Sequence, residues 1–220
     1  MKTRLDEQTI ALRAAREFAD GSVVNLGYGM PGLCANYIPE ERRVFFQAEN
    51  GMLGYGSLST DAEKDYEMIN ASDQPVTPLP GMCFFDSGLS FDMIRGGHID
   101  VVVLGAYQVS EKGDLANWGR PGRPATGMGG GMDLAAGAKK VIVTMLHTTK
   151  EGEPRIVKRC TYPLTASQCV SLIITDLAVI EVTAKGLILK EIAPGWTVPE
   201  VQNLTEAKLV PAEDLKEIEL

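Results

Sequence analysis

The strongest constraint on the fold is the way short apolar runs alternate with segments of helical periodicity. Ile10, Ala14 and Phe18, with Ala11 and Ala15, recur at helical spacing. Acids stand before them and Gly21 follows, which predicts a helix over 6–19. Residues 22–26 then read as a buried strand, 31–37 as a short helix stopped near Pro39, and 42–46 as a second strand. Asp86-Ser87 fits an N-cap for a helix running through Met93-Ile94, which Gly96-Gly97 ends. Residues 99–104 and 140–146 follow as buried strands, and strand-like runs at 156–160, 172–175, 177–182 and 187–192 crowd the last third. A last helix is expected over 199–207, started near Thr197. Strands that alternate with helices and then crowd together predict an α/β fold. Its sheet is open and mostly parallel with an antiparallel or mixed extension, and helices cover both faces. No repeat, low-complexity stretch or linker divides the chain, so one domain is expected over 1–220.

Composition narrows the function. The net charge of −8 and the lack of a polybasic run argue against nucleic acid or an anionic membrane as partner. The start, Met1 to Glu7, turns polar where the apolar core of a signal peptide would begin, and no apolar run is long enough to span a bilayer. A cytoplasmic location is expected. Cys34, Cys83, Cys160 and Cys169 show no CxxC spacing and read as reduced core residues. His98 and His147 are far apart, with no cysteine at ligand spacing, so no zinc site is expected. Without a GxSxG elbow, a Ser-His-acid hydrolase is not expected either.

Three segments offer chemistry. Glu49 lies in Phe46-Gln47-Ala48-Glu49-Asn50-Gly51-Met52-Leu53-Gly54, where a strand gives way to a glycine-rich turn. A carboxylate at such a strand-to-loop corner is either a nucleophile or an exposed turn charge. In α/β sheets, sites form where strands end at their carboxyl edge, and Glu49 falls at that edge if the preceding strand joins the sheet. Gly27-Tyr28-Gly29-Met30-Pro31 either lets backbone approach a ligand or makes a tight structural turn; its spacing fails as a dinucleotide motif. Gly127-Met128-Gly129-Gly130-Gly131 either supplies N–H donors to an oxyanion or is a mobile loop. His98 reads as a structural histidine beside a buried strand, and His147 as a strand-end residue for which exposure and burial both fit. The apolar pattern from Phe84 to Met93 reads as core.

Taken together, Val24 to Pro31, Glu49 to Gly54, Phe91 to Asp100, Gly113 to Trp118 and Gly127 to Gly130 resemble the β subunit of family I CoA-transferases. The resemblance runs from about Leu12 to Ala207, and is nearest to the 3-oxoacid branch, which includes acetate and butyrate–acetoacetate enzymes. It implies the CoA-transferase and sugar-phosphate isomerase-like fold. It assigns Glu49 as covalent nucleophile and the Gly130 N–H as oxyanion donor. It places Asn25, Gly27, Gly29, Asn50, Gly51 and Gly129, which stand in the matching motifs, in substrate or CoA binding. It further implies a separate α subunit, since the family has two homologous halves and this chain matches the half that carries the glutamate. A hetero-oligomer is expected, with no metal or organic cofactor; CoA is a substrate.

Three departures stand out. Ala48 replaces the serine common before the nucleophile, and Gly131 replaces the alanine usual after Gly-Met-Gly-Gly. Asp73, 24 positions after Glu49, stands where some succinate-using relatives carry lysine, which disfavours a dicarboxylate. A glutamate suits the implied chemistry because it is itself a carboxylate and, with a reference pKa of about 4.3, is ionised at neutral pH without a general base. A thioester hydrolase using the same glutamate and a non-catalytic ligand-sensing domain of the same fold remain as alternatives.

Overall fold

The structure, a computed structural model, describes residues 2–122 and 127–219. In chain order the strands are β1 (Val23–Leu26), β2 (Phe45–Ala48), β3 (Met52–Leu58), β4 (Val76–Phe84), β5 (Val101–Gly105), β6 (Gln108–Ser110), β7 (Leu115–Ala116), β8 (Lys140–Met145), β9 (Ile156–Val157), β10 (Leu172–Thr175), β11 (Ala178–Thr183), β12 (Gly186–Ile192) and β13 (Leu209–Glu217). The helices are α1 (Glu7–Ala15), α2 (Ser87–Arg95), α3 (Gly131–Gly137) and α4 (Val198–Asn203), with a 3₁₀ segment at Met30–Tyr37.

Ten strands form one sheet in the order β13-β12-β11-β10-β8-β5-β1-β2-β3-β4, while β7-β6-β9 make a small second sheet. The central five, β10, β8, β5, β1 and β2, run parallel. Their apolar content follows from burial on both faces. Val101 and Val103 of β5 face one way, with Val24, Ile142 and Ile174, and are covered by Ile10, Ala11 and Ala14 of α1. Val102 and Leu104 face the other way, with Val141 and Val143, and are covered by Ile94 of α2 and Leu134 of α3. Asp6 and Asp86 cap α1 and α2 by accepting from the N–H groups of Thr9 and Leu89. The antiparallel flanks are β3 and β4 on one side and β11 and β12 on the other. Among the described residues no helix is long and apolar enough to cross a membrane.

Several boundaries differ from expectation for local reasons. The first helix stops at Ala15, because Glu17 and Phe18 donate to Ala14 and Ala15 carbonyls in tighter i→i+3 turns. The second strand begins at Phe45 rather than at residue 42; Arg42 bonds back to Pro39 and Arg43 to Asp20. The strand expected over 156–160 is only Ile156–Val157, and the last helix ends at Asn203. β3, β4 and β13 were not anticipated. Gly54, Gly56, Pro78, Pro80 and Gly81 dilute the strand signal of the first two, and Pro211 sits in β13 at the sheet edge, where a missing N–H is tolerated. The expected core pattern over 84–93 is corrected as well: Phe84 and Leu89 are 62% and 47% exposed.

Candidate active site

β1 lies between β2 on one side and β5 on the other, so the chain winds in opposite directions from it. The carboxyl ends of parallel strands diverge at such a point and leave a crevice. A cavity of about 780 Å³ opens there. Its wall takes Asn25 and Gly27 from the end of β1 and just beyond it, Glu49 from just after β2, Gly105 to Tyr107 from the end of β5 onward and Thr144 to Leu146 from the end of β8 onward. The glycine segment Gly127–Gly131 closes another side.

Glu49 occupies not a strand-to-loop corner but the turn of a hairpin, since β3 starts at Met52 and runs antiparallel to β2. The Ala48 carbonyl accepts from Gly51 N–H at 3.0 Å and closes the turn. Gly51 has φ +116°, and a Cβ there would lie 2.0 Å from the Phe85 carbonyl oxygen, so the turn admits only glycine. Across the cavity, Gly130 precedes α3 and donates its N–H to Glu49 Oε1 at a long 3.4 Å. A Cβ on Gly130 would fall 2.0 Å from Glu49 Oε2. That second oxygen is buried and bonds nothing among the described residues. Burial pushes the Glu49 carboxyl above the ordinary glutamate range; the Gly130 N–H pulls it down and nearby Asp133 pushes it up. Asp133 is itself bridged by Arg95 at 2.8 Å.

Beneath Glu49 lies a buried polar chain that the sequence did not reveal. Asn25 Nδ2 donates to Gln47 Oε1 at 2.6 Å, Gln47 Nε2 donates to Ser90 Oγ at 2.6 Å, and Ser90 Oγ donates to the Ala48 carbonyl at 3.2 Å. Only the strand pairing Asn25↔Gln47 and the packing of α2 bring these residues together, so no local signal marks Gln47 or Ser90. At another part of the cavity wall, Arg155 makes no ion pair among the described residues. Burial, then the neighbouring Arg120, lowers its pKa. Arg120 stacks over Tyr107 at 4.7 Å. Thr144 also lines the cavity, and its buried hydroxyl has no partner among the described residues.

Of the residues singled out from the sequence, Glu49, Gly130, Asn25, Gly27 and Gly129 share this cavity wall, whereas Gly29, Asn50 and Gly51 do not line it. The Asn50 side chain instead donates to the Ile69 carbonyl at 2.8 Å and ties the turn to the segment before β4. Asp73 is exposed and also lies outside the cavity wall. His98 is exposed rather than packed as a structural histidine. His147 is fully buried between the hydroxyls of Thr175 and Thr205, and burial pushes its pKa down to about 4. All four cysteines are free, but only Cys34 is core; Cys83 is exposed and Cys160 and Cys169 are half-buried.

Residues 7–204 match the coenzyme A transferase family, and the chain belongs to it. It is 50% identical to the beta subunit of a probable coenzyme A transferase of Bacillus subtilis, over 93% of this chain and 94% of that one. It is 48% identical to the beta subunit of the acetate CoA-transferase of Escherichia coli, over 95% of each chain. Among solved structures, an acyl-CoA transferase of Escherichia coli O157:H7 in thioester complex with CoA superposes with a TM-score of 0.74 at 22% identity. That match covers 100% of this chain and 44% of the other, and it establishes the fold alone.

Proposed function

We propose that this chain is the nucleophile-bearing subunit of an enzyme that moves CoA between a short-chain acyl-CoA, of 3-oxoacyl, acetyl or butyryl type, and a free carboxylate. The observation that carries this reading is the Glu49 carboxylate at the cavity wall: Oε1 faces the Gly130 N–H, and Oε2 is buried without a partner among the described residues. Such an oxygen has lone pairs that no hydrogen bond among the described residues engages. Removal from water raises its basicity, the direction that favours a nucleophile.

In the proposed cycle a Glu49 oxygen attacks the thioester carbonyl of the donor. The C–S bond breaks, CoA leaves as thiolate, and a mixed anhydride remains. The thiolate then attacks the Glu49 carbonyl; the anhydride C–O bond breaks, the donor acid departs as carboxylate, and a glutamyl-CoA thioester forms. The acceptor carboxylate attacks that same carbonyl and expels CoA thiolate. The thiolate finally attacks the acceptor's acyl carbon, which makes the new acyl-CoA and returns Glu49. In the second and third steps the oxyanion develops on Glu49's own oxygen. A Gly130 N–H already aimed at Oε1 serves those steps, provided the 3.4 Å contact tightens as charge grows. The cycle needs no metal and no organic cofactor. Arg155, which lines the cavity without an ion pair among the described residues, supports a substrate that carries negative charge.

Both relatives are named as beta subunits, which supports a partner α subunit that completes the enzyme. The test is to incubate the αβ complex with acetoacetyl-CoA and acetate, with succinate in a parallel arm, and follow acyl-CoA and free thiol together. New acyl-CoA should form in step with loss of the donor, and neither chain alone should support it. Steady release of free CoA thiol without new acyl-CoA would identify a hydrolase instead.

A further inference from the structure

The polar chain under Glu49 is out of character with its surroundings. Asn25, Gln47 and Ser90 are 2%, 0% and 0% exposed and sit between the sheet and α2, where apolar side chains would pack without a hydrogen-bonding requirement. A buried amide left unpaired is costly, so this arrangement holds only because each of its bonds is made. Its two ends are informative. At one end Asn25 lines the cavity. At the other, Ser90 bonds the carbonyl of Ala48, whose peptide unit contains the Glu49 nitrogen. That carbonyl also accepts from Gly51, so two donors fix one peptide plane. Rotation of this plane would swing the Cα–Cβ direction of Glu49 and carry its carboxylate away from Gly130.

We infer that Gln47 and Ser90, anchored by Asn25, are positioning residues that set the orientation of the Glu49 carboxylate from beneath the hairpin turn. The inference rests on Glu49 as nucleophile. Gln47 and Ser90 touch neither substrate nor the reacting carbon; they act through the Ala48–Glu49 peptide. Asn25 thereby has a second task beside any contact with substrate, because it holds the Gln47 amide in the orientation that presents Nε2 to Ser90.

The experiment uses the αβ complex with Ser90→Ala, Gln47→Met and the double variant. Steady-state transfer from acetoacetyl-CoA is measured beside the rate at which CoA becomes trapped on Glu49 and beside the melting temperature. Displacement of a reacting group by about 1 Å costs on the order of a hundredfold in rate. Each single variant should therefore lose about tenfold to a hundredfold in kcat and in trapping rate. KM for the thioester should stay within about threefold, as expected when the lost interaction orients the nucleophile rather than binds substrate. The double variant should be no slower than the slower single one, since both break the same chain. A purely structural role would lower the melting temperature and the fraction of labelled sites while leaving kcat per labelled site at the wild-type value, and that result overturns the inference. If Ser90→Ala does not assemble, Gln47→Met, which keeps the side-chain length, decides the same question. Wild-type complex that traps no CoA on Glu49 removes the nucleophile reading, and this inference with it. Wild-type trapping combined with unimpaired variants removes this inference alone.

Discussion

Gly51 closes the turn that carries Glu49 and Gly130 faces its carboxylate across the cavity, and they are glycine for opposite reasons. At Gly51 the backbone has φ +116°, and an added Cβ would collide with the Phe85 carbonyl oxygen, part of the main chain. At Gly130 the backbone is ordinary, with φ −81°, and an added Cβ would collide with the Glu49 carboxylate itself. The first glycine is required by the hairpin; the second leaves room for the Glu49 carboxylate. A glycine in a motif is thus uninformative until the atom that its missing side chain would strike is known.

The largest effect that would break this contrast concerns turnover. Gly130→Val keeps the backbone N–H but sets a Cβ against the Glu49 carboxylate, so kcat should fall by roughly a hundredfold, the cost of a displaced reacting group. The melting temperature should change less than turnover, because the atoms in the way are the end of the Glu49 side chain and the edge of the Phe91 ring rather than main chain. Turnover at the wild-type level in a fully assembled complex would mean that the carboxylate's place beside Gly130 does not matter to transfer.

Gly51→Ala should show the reverse emphasis. Backbone strain alone costs about 1–3 kcal/mol. At roughly 2–4 °C per kcal/mol for a chain of this size, the melting midpoint should fall by several degrees. A variant as stable as wild type would mean that the turn relaxes more freely than its contact with Phe85 implies.

The smallest effect sharpens the electrostatics of the Gly130 side. The proposed cycle uses Glu49 as a carboxylate, and its pKa is raised by burial and by Asp133. Transfer should therefore fall on acidification from a pH above the ordinary glutamate range. Asp133→Asn should move that acid limb to lower pH. For stability the sign is opposite. A carboxyl whose folded pKa lies above its unfolded value contributes stability below the unfolded pKa and loses it as pH rises through the folded one. Glu49→Gln should then be no less stable than wild type at neutral pH, and guanidinium chloride titrations of the two would show it. A clear loss of stability would mean that the ionised carboxylate is held more favourably than its buried Oε2 suggests.

What the sequence made legible follows the same division between local and nonlocal causes. The central parallel strands are covered on both faces, so their burial appears directly as apolar runs, and β10 was anticipated residue for residue at 172–175. The Asp86 cap and the glycine stop made α2 legible for equally local reasons. β3 and β4 escaped because their glycines and prolines are poor strand formers that cross-strand pairing overrides. Glu49 and Gly130 stood out through motif resemblance, yet nothing in the sequence shows that they lie within one hydrogen bond, 81 positions apart. Gln47 and Ser90 were invisible for the same reason: a buried glutamine in a strand has no signature until its partner arrives on a helix 43 positions later. His147 could be judged only once Thr175 and Thr205 enclosed it.

The most direct test of Glu49 as the residue that takes CoA is to trap it. The αβ complex is incubated with acetoacetyl-CoA, treated with borohydride and digested, and the peptides are mapped by mass. The expected result is inactivation, with the glutamyl thioester reduced at Glu49 and no such change in complex that has seen no thioester or that carries Glu49→Ala. Modification mapped to any other residue, or wild-type transfer by Glu49→Ala, would contradict it.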